Sequence, residues 1–392
     1  IQALLANENV ADKLSILPDF SDADAMITLL IIPLAVQWWS SWYPGAEPGG
    51  GGYIAQRMLA SKNENHAIGA TLFFNIMHYA LRPWPWILVA LASLVVFPDL
   101  ASIKDAFPNI ADDKLGHDLA YSAMLVKLPA GLLGLVLASL IAAYMSTIST
   151  QLNWGSSYMV FDFYKNQINP NASEKRLVAV GRISTVVLMI LSAMLALLLQ
   201  SALQIFDILL TFGAGTGLIF ILRWFWWRIN AWSEISAMFS SGIVSILLKL
   251  TPLGTFFFGA ERGLMPSWSE FPMIVLVTSV IWVGVTYLTQ PESNEVLQSF
   301  YKKIQPGGPG WDKVLKDAEA ENIVIKDKDV EWSVPSGILA MLLGCGMIYS
   351  AMFATGYWIY GEQQNAMIAT TGAVISGFFL IKIWKKIKVN VL

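Results

Sequence analysis

Ala143, Ser146 and Thr147 lie within little more than one helical turn of each other, inside an otherwise apolar stretch. A sodium ion asks for hard oxygen donors, and hydroxyls and backbone carbonyls supply them without a fixed charge. The Ala143 carbonyl lies one turn before Thr147 and is freed if the helix opens slightly. Ser146 and Thr147 would add two side-chain oxygens from the next turn. The same hydroxyls can instead bond back to the carbonyls four residues earlier, as they commonly do in apolar helices. Spacing alone favours that blander arrangement.

The element that must position them is the stretch 129–164. Its segment 131–144 is almost wholly apolar, and Ser146, Thr147, Ser149 and Thr150 follow as a cluster. Ala130, Gly134, Ala138, Ala142, Ser146 and Thr150 recur every four residues, a thin small-residue face on a helix. Such a face lets a second helix approach closely in lipid. Hydroxyls partway along it are packing glue or an ion site.

The whole chain is built for a bilayer. It is 55% hydrophobic and 14% charged, against about 25% charge in a soluble domain. Its mean hydropathy is +0.55. We expect an all-α polytopic membrane protein with about eight transmembrane helices. Apolar stretches cover 23–43, 66–97, 129–164, 177–199, 205–227, 235–250, 271–288, 334–353 and 366–384. The 66–97 stretch exceeds the roughly 20 residues needed to cross, so a bend is expected at the segment RPWPW, 82–86. The segment 118–128 reads as a short amphipathic helix, and 290–333, where six lysines alternate with acids, as a solvated loop with a turn. Cys345, the single cysteine, excludes an intrachain disulfide or a cysteine metal site.

Loop charge gives the topology. Arg57 and Lys62, Lys165 to Arg176, Arg223 and Arg228, the six loop lysines and the basic tail all fall on one side. That side is expected to be cytoplasmic, with residues 1–22 outside and the C-terminus inside. The net charge of −3 says nothing for nucleic acid, and no nucleic-acid partner is expected. The expected partners are the lipid bilayer and, since the chain reads as the later part of something longer, the N-terminal half of the same protein.

Several other residues bear on function. Gln37, Trp38, Trp39, Ser41 and Trp42 could form a stacking face with polar contacts, or an interfacial tryptophan belt. Arg82 precedes Pro83 in a bent span, where a structural role is favoured over a ligand role. Asp207 is expected near the external face, solvated or in a cation-attracting vestibule. His66, His78 and His117 have no ligand-like spacing, and no Walker loop or paired catalytic carboxylates occur. We therefore expect no enzyme activity, and no metal other than sodium.

The run AAYMSTISTQLNWGSSYMVFDFYK closely resembles the pattern of the sodium:solute symporter family. YIAQRMLASK at 53–62, with Arg57, looks like its Gln-Arg loop. Asp162, with Tyr164 and Lys165, and Arg182 in VAVGR fit it as well. LRWFWWRINAWSEISAM and FYKKIQPGGPGW resemble a bacterial subgroup. The resemblance implies the second half of an inverted five-plus-five helix transporter core plus C-terminal helices. Residues 23–229 would be the second core repeat of five transmembrane helices, and 230–290 two additional helices. Residues 291–333 would be a cytoplasmic loop, and 334–392 the last two helices and the basic tail.

It further implies that Ala143, through its carbonyl, Ser146 and Thr147 are sodium ligands on the eighth core helix. Na+ is then the coupled ion. Arg57, Arg82, Asp162, Arg182 and Asp207 are structural or gating candidates. The stretch 23–43 would be the substrate-facing sixth core helix. QWWSSWYPGAEPGGGG departs there from the Asn-and-Tyr arrangement of the family's galactose carrier, so no sugar ligands carry over. The implied function is sodium-coupled uptake of a small organic solute (sugar, amino acid or carboxylate) across a bacterial cytoplasmic, or inner, membrane. A transporter-scaffold sensor or regulatory module without net transport is the alternative.

Overall fold

The computed structural model describes residues 1–11, 13–40, 57–198, 210–211, 213–259, 263–325 and 334–384. Ser41, Trp42 and Asp207 lie outside them. Among the described residues, eight helices are long and apolar enough to cross a membrane. The elements used below are α1 (Ala23–Ser40), α2 (Glu64–Val96), α3 (Ala130–Ile168) and α4 (Glu174–Leu197). They continue with the short α5 (Gly217–Leu222), then α6 (Ala231–Leu250), α7 (Glu270–Leu288), α8 (Asn294–Ile304) and α9 (Asp312–Ala320). The last pair is α10 (Val334–Tyr360) and α11 (Gln363–Trp384). In lipid only helices and closed barrels satisfy their backbone groups, and the described spans of this chain are helices. It is a multi-pass membrane protein.

The described chain forms two compact units, Ile1–Leu88 with Phe206–Leu392, and Val89–Ile205. In the second, α3 and α4 pack through small residues. Gly155 leaves only 3.0 Å between a would-be Cβ and Leu188, and Gly181 lies against Val160. Without a solvent-driven hydrophobic force between helices, such close approach supplies the dispersion contact. The connection before α3 has its own small core of Phe97, Ile103 and Ala123. The predicted amphipathic helix is present there as Leu119–Leu125.

In the first unit, α6 and α7 bury a polar seam. Ser233 Oγ and Thr286 Oγ1 are 2.6 Å apart, and Ser241 Oγ donates to the Thr211 carbonyl at 3.0 Å. Ser233, Ser241 and Ser245 recur at helical spacing on α6. Ser233 and Thr286 satisfy each other across the helices where water is absent, whereas the buried Ser245 and Thr278 hydroxyls have no hydrogen-bond partner among the described residues. In the other helix pair, α10 and α11, Trp84 of α2 wedges against Gly356 and donates its Nε1–H to the Met352 carbonyl at 3.1 Å.

The bend in α2 takes a specific form. Residues Ile76–Leu81 adopt wide π-helical turns, and Arg82 N–H reaches back to the Met77 carbonyl. Prolines 83 and 85 lack the N–H that would extend a regular ladder, so the helix re-registers before them. Wide turns also occupy most of α1, around Pro33.

Two segments differ from expectation. Residues 205–227 read as one continuous apolar span. Among the described part, the chain turns at 214–216, and α5 is only Gly217–Leu222. Glycines 213, 215 and 217 in GAGTG weaken a helix there. The segment 290–333 is not merely solvated. α8 and α9 close on a core of Leu297, Tyr301, Trp311, Val314, Ala318 and Ile325. This hairpin docks on the residues after α5: Trp311 Nε1 donates to the Trp224 carbonyl at 2.9 Å, and Trp227 N–H to Gly310 at 3.2 Å.

Candidate sodium site on helix α3

Ala143, Ser146 and Thr147 all fall on α3, in a part that keeps regular α-helical geometry. Thr147 Oγ1 donates to the Ala143 carbonyl at 3.0 Å, and Thr150 Oγ1 to the Ser146 carbonyl at 2.8 Å. Both threonines thus bond back by four residues. The Ser146 hydroxyl makes no hydrogen bond among the described residues. All three candidates are exposed.

Within its own unit the face they stand on is open. Gly134, on the same stripe, has nothing within 4 Å of a would-be Cβ. α4 meets α3 instead near Gly155 and Val160. A carbonyl has two lone pairs and a hydroxyl oxygen can accept while it donates. The Ala143 carbonyl already takes the helical N–H of Thr147 as well as its hydroxyl, so only the Thr147 oxygen keeps free acceptor capacity; swinging that hydroxyl away frees one lone pair on the carbonyl beside it. What this helix offers is a short row of uncharged oxygens on a face that nothing in its own unit covers. It can contribute part of a hard-cation shell, and a second element must complete it.

The remaining candidates are distributed along the chain. Gln37, Trp38 and Trp39 end α1. Trp38 is 47% exposed. Trp39 turns inward: its Nε1 donates to the Ala35 carbonyl at 2.7 Å, and its ring packs on a core of Ala214, Ile274 and Val275. Gly217 explains that close fit, since a Cβ there would lie 2.0 Å from the Trp39 carbonyl oxygen. Arg57 opens a short helical turn whose Ser61 hydroxyl donates to the Arg57 carbonyl at 3.0 Å.

Arg82 is held by its own helix. Its Nη1 lies 3.0 Å from His78 Nδ1, and its guanidinium sits 4.7 Å from the centre of the Trp86 ring. Asp162 and Arg182 share the second unit and are both exposed, and no hydrogen bond or ion pair links them among the described residues. Their neighbourhood is tied instead by Arg176 Nε, which donates to the Tyr164 hydroxyl at 3.2 Å. In the connection before α3, Lys104 beside Asp112, at 2.8 Å, holds that carboxyl below the usual carboxylate range.

Comparison with known proteins gives this all-α membrane protein its class. The sodium:solute symporter family matches residues 3–241. The chain belongs to that family. Among curated proteins, it is 30% identical to the sodium/myo-inositol cotransporter 2 of Mus musculus over 271 residues, 62% of this chain and 39% of the relative. It is 29% identical to the sodium/glucose cotransporter of Vibrio parahaemolyticus over 236 residues, 58% of this chain and 41% of the relative. The chain therefore spans about two fifths of the length of these relatives.

Proposed function

We propose that this chain belongs to a carrier that couples inward sodium movement to the uptake of a small organic solute across a bacterial cytoplasmic membrane. The observation that carries the reading is the row of Ala143, Ser146 and Thr147 oxygens, left uncovered within its own unit, on an intact span inside the segment matched by the family. In this reading residues 23–229 are the second core repeat, and the N-terminal half of the protein supplies the remaining ion ligands. Sodium lowers the free energy of the outward-open state, solute binding permits the shift inward, and sodium leaves toward the cytoplasm. Linkage requires each ligand to strengthen the binding of the other. The sodium-coupled relatives are named for glucose and myo-inositol, so a polyhydroxylated solute is the first class to try, before amino acids and carboxylates. Trp38, half exposed at the end of α1, is the side chain here best placed to stack on such a solute.

The test is sodium-driven counterflow of labelled solutes in proteoliposomes holding the intact gene product. Labelled solute should accumulate only with a sodium gradient. Solute binding without counterflow would instead indicate a sensor on a transporter scaffold.

A further inference from the structure

We propose that the cleft at the turn between α10 and α11 is a binding site for a small organic ammonium ion. It is built from residues other than the sodium row. α10 ends at Tyr360, Gly361 turns the chain with φ of 80°, and Glu362 leads into α11. A cavity of about 210 Å³ lies there, between these residues and segment 14–17. Phe353 and Tyr357 line it as a stacked pair, with ring centroids 6.4 Å apart and planes inclined by 24°. Tyr360 adds a third ring, fixed edge-on against Trp84 at 5.7 Å. The wall is rigid, because a Cβ on Gly356 would lie 2.0 Å from the buried Trp84 ring.

Among the described residues, the one formal charge lining this cavity is the Glu362 carboxylate. Asn365 Nδ2 donates to its Oε2 at 2.7 Å and orients it. Aromatic faces beside a carboxylate that has no basic partner among the described residues attract a cation, and they suit a poorly hydrated alkylammonium best. A second cavity of about 220 Å³ shares Phe353, Tyr357 and Asn365 and runs on to Ile368 and Ala369. It offers an apolar groove beside the charged end. Each cavity is smaller than the roughly 300–1,000 Å³ of a drug-sized site, which limits the ligand to about one ring beyond its ammonium group. A phospholipid headgroup fits less well. Among the described residues no Lys, Arg or His lines either cavity, so its phosphate would meet Glu362 with no counter-charge there.

The test uses the full chain in detergent micelles, with binding followed by calorimetry. The probes are benzyltrimethylammonium, tetramethylammonium and the uncharged 3,3-dimethylbutan-1-ol. Benzyltrimethylammonium should bind about tenfold more tightly than tetramethylammonium, since its ring enters the groove. The uncharged alcohol should bind at least about tenfold more weakly than tetramethylammonium, as should tetramethylammonium to Glu362→Gln. Tyr357→Phe keeps the ring and should bind normally, while Tyr357→Leu should lose affinity; matched melting temperatures exclude misfolding as the cause. Equal binding of the alcohol, or an unchanged Glu362→Gln, would reduce the cleft to a greasy groove and overturn the proposal. Competition by added phosphatidylethanolamine would overturn it in favour of a lipid headgroup. None of these outcomes depends on whether the protein carries solute.

Discussion

The Thr147 hydroxyl donates to the Ala143 carbonyl across one turn of α3, at 3.0 Å. This bond keeps two oxygens of the candidate sodium row together and points neither of them at a neighbouring helix. An ion arriving at this face would find the pair already aligned and would need to reorient one hydroxyl proton.

Sodium dependence should therefore respond to the oxygens themselves. Ser146→Ala and Thr147→Val each remove one donor and preserve volume approximately. Each should raise the sodium concentration for half-maximal uptake about tenfold in the intact protein, equivalent to about 1.4 kcal/mol. Thr147→Ser keeps the oxygen and should stay near the parent value. The readout is uptake against sodium concentration at fixed solute. An unchanged half-maximal concentration in Ser146→Ala would remove that residue from the site.

The spans were legible because each is a long apolar run, and α10 and α11 begin within a few residues of their expected starts. The open or closed state of the Ala143 carbonyl was not, because the same Ser-Thr pair serves back-bonding and ion binding equally well. The turn at 214–216 had a signal in GAGTG, but the surrounding hydrophobicity concealed it. The α8–α9 core was hidden by its charges. Leu297 and Tyr301, then Trp311, Val314 and Ala318, keep helical spacing among lysines and acids, and that periodicity is the sign a charge count overlooks. Trp39 and Trp38 are indistinguishable by residue type, and only packing separates them.

The docking of the α8–α9 hairpin makes Gly310 unusually intolerant. A Cβ there would lie 1.7 Å from the Phe225 carbonyl oxygen, and backbone cannot move aside cheaply. Gly310→Ala should cost about 1–3 kcal/mol by overpacking. Trp311→Ala empties the buried centre of the hairpin and should cost about 3–5 kcal/mol. Thermal unfolding in detergent measures both. A Gly310→Ala protein as stable as the parent would show that the hairpin does not dock as described.

Alkaline pH should loosen the same hairpin. Burial, and secondarily the charge of Asp312, push the Tyr301 phenol above its ordinary value near 10. The folded state thus holds this proton more tightly than the unfolded state does. The stability it contributes is fully present below the unfolded pKa and is lost as pH rises through the raised folded value. Hydrogen exchange at the Trp311 indole, which bonds to Trp224, should accelerate in that range beyond the chemical rate, and Tyr301→Phe should remove the step.

Adjacent tryptophans at the end of α1 should separate into two roles. Trp39 is anchored to the Ala35 carbonyl and packed on Ala214, Ile274 and Val275, under a backbone contact that Gly217 permits. Trp39→Ala should lower the melting temperature, by about 1–3 kcal/mol in stability for this partly buried ring, and reduce the amount of folded protein. Trp38 is 47% exposed and supports no such core. Trp38→Ala should leave the melting temperature near the parent value while raising the solute KM about fivefold to tenfold, the loss of one stacking contact of roughly 1 kcal/mol. Kinetics normalised to folded protein distinguish the two. If Trp38→Ala leaves KM unchanged, the side chain belongs to the lipid interface and has no part in the proposed solute site.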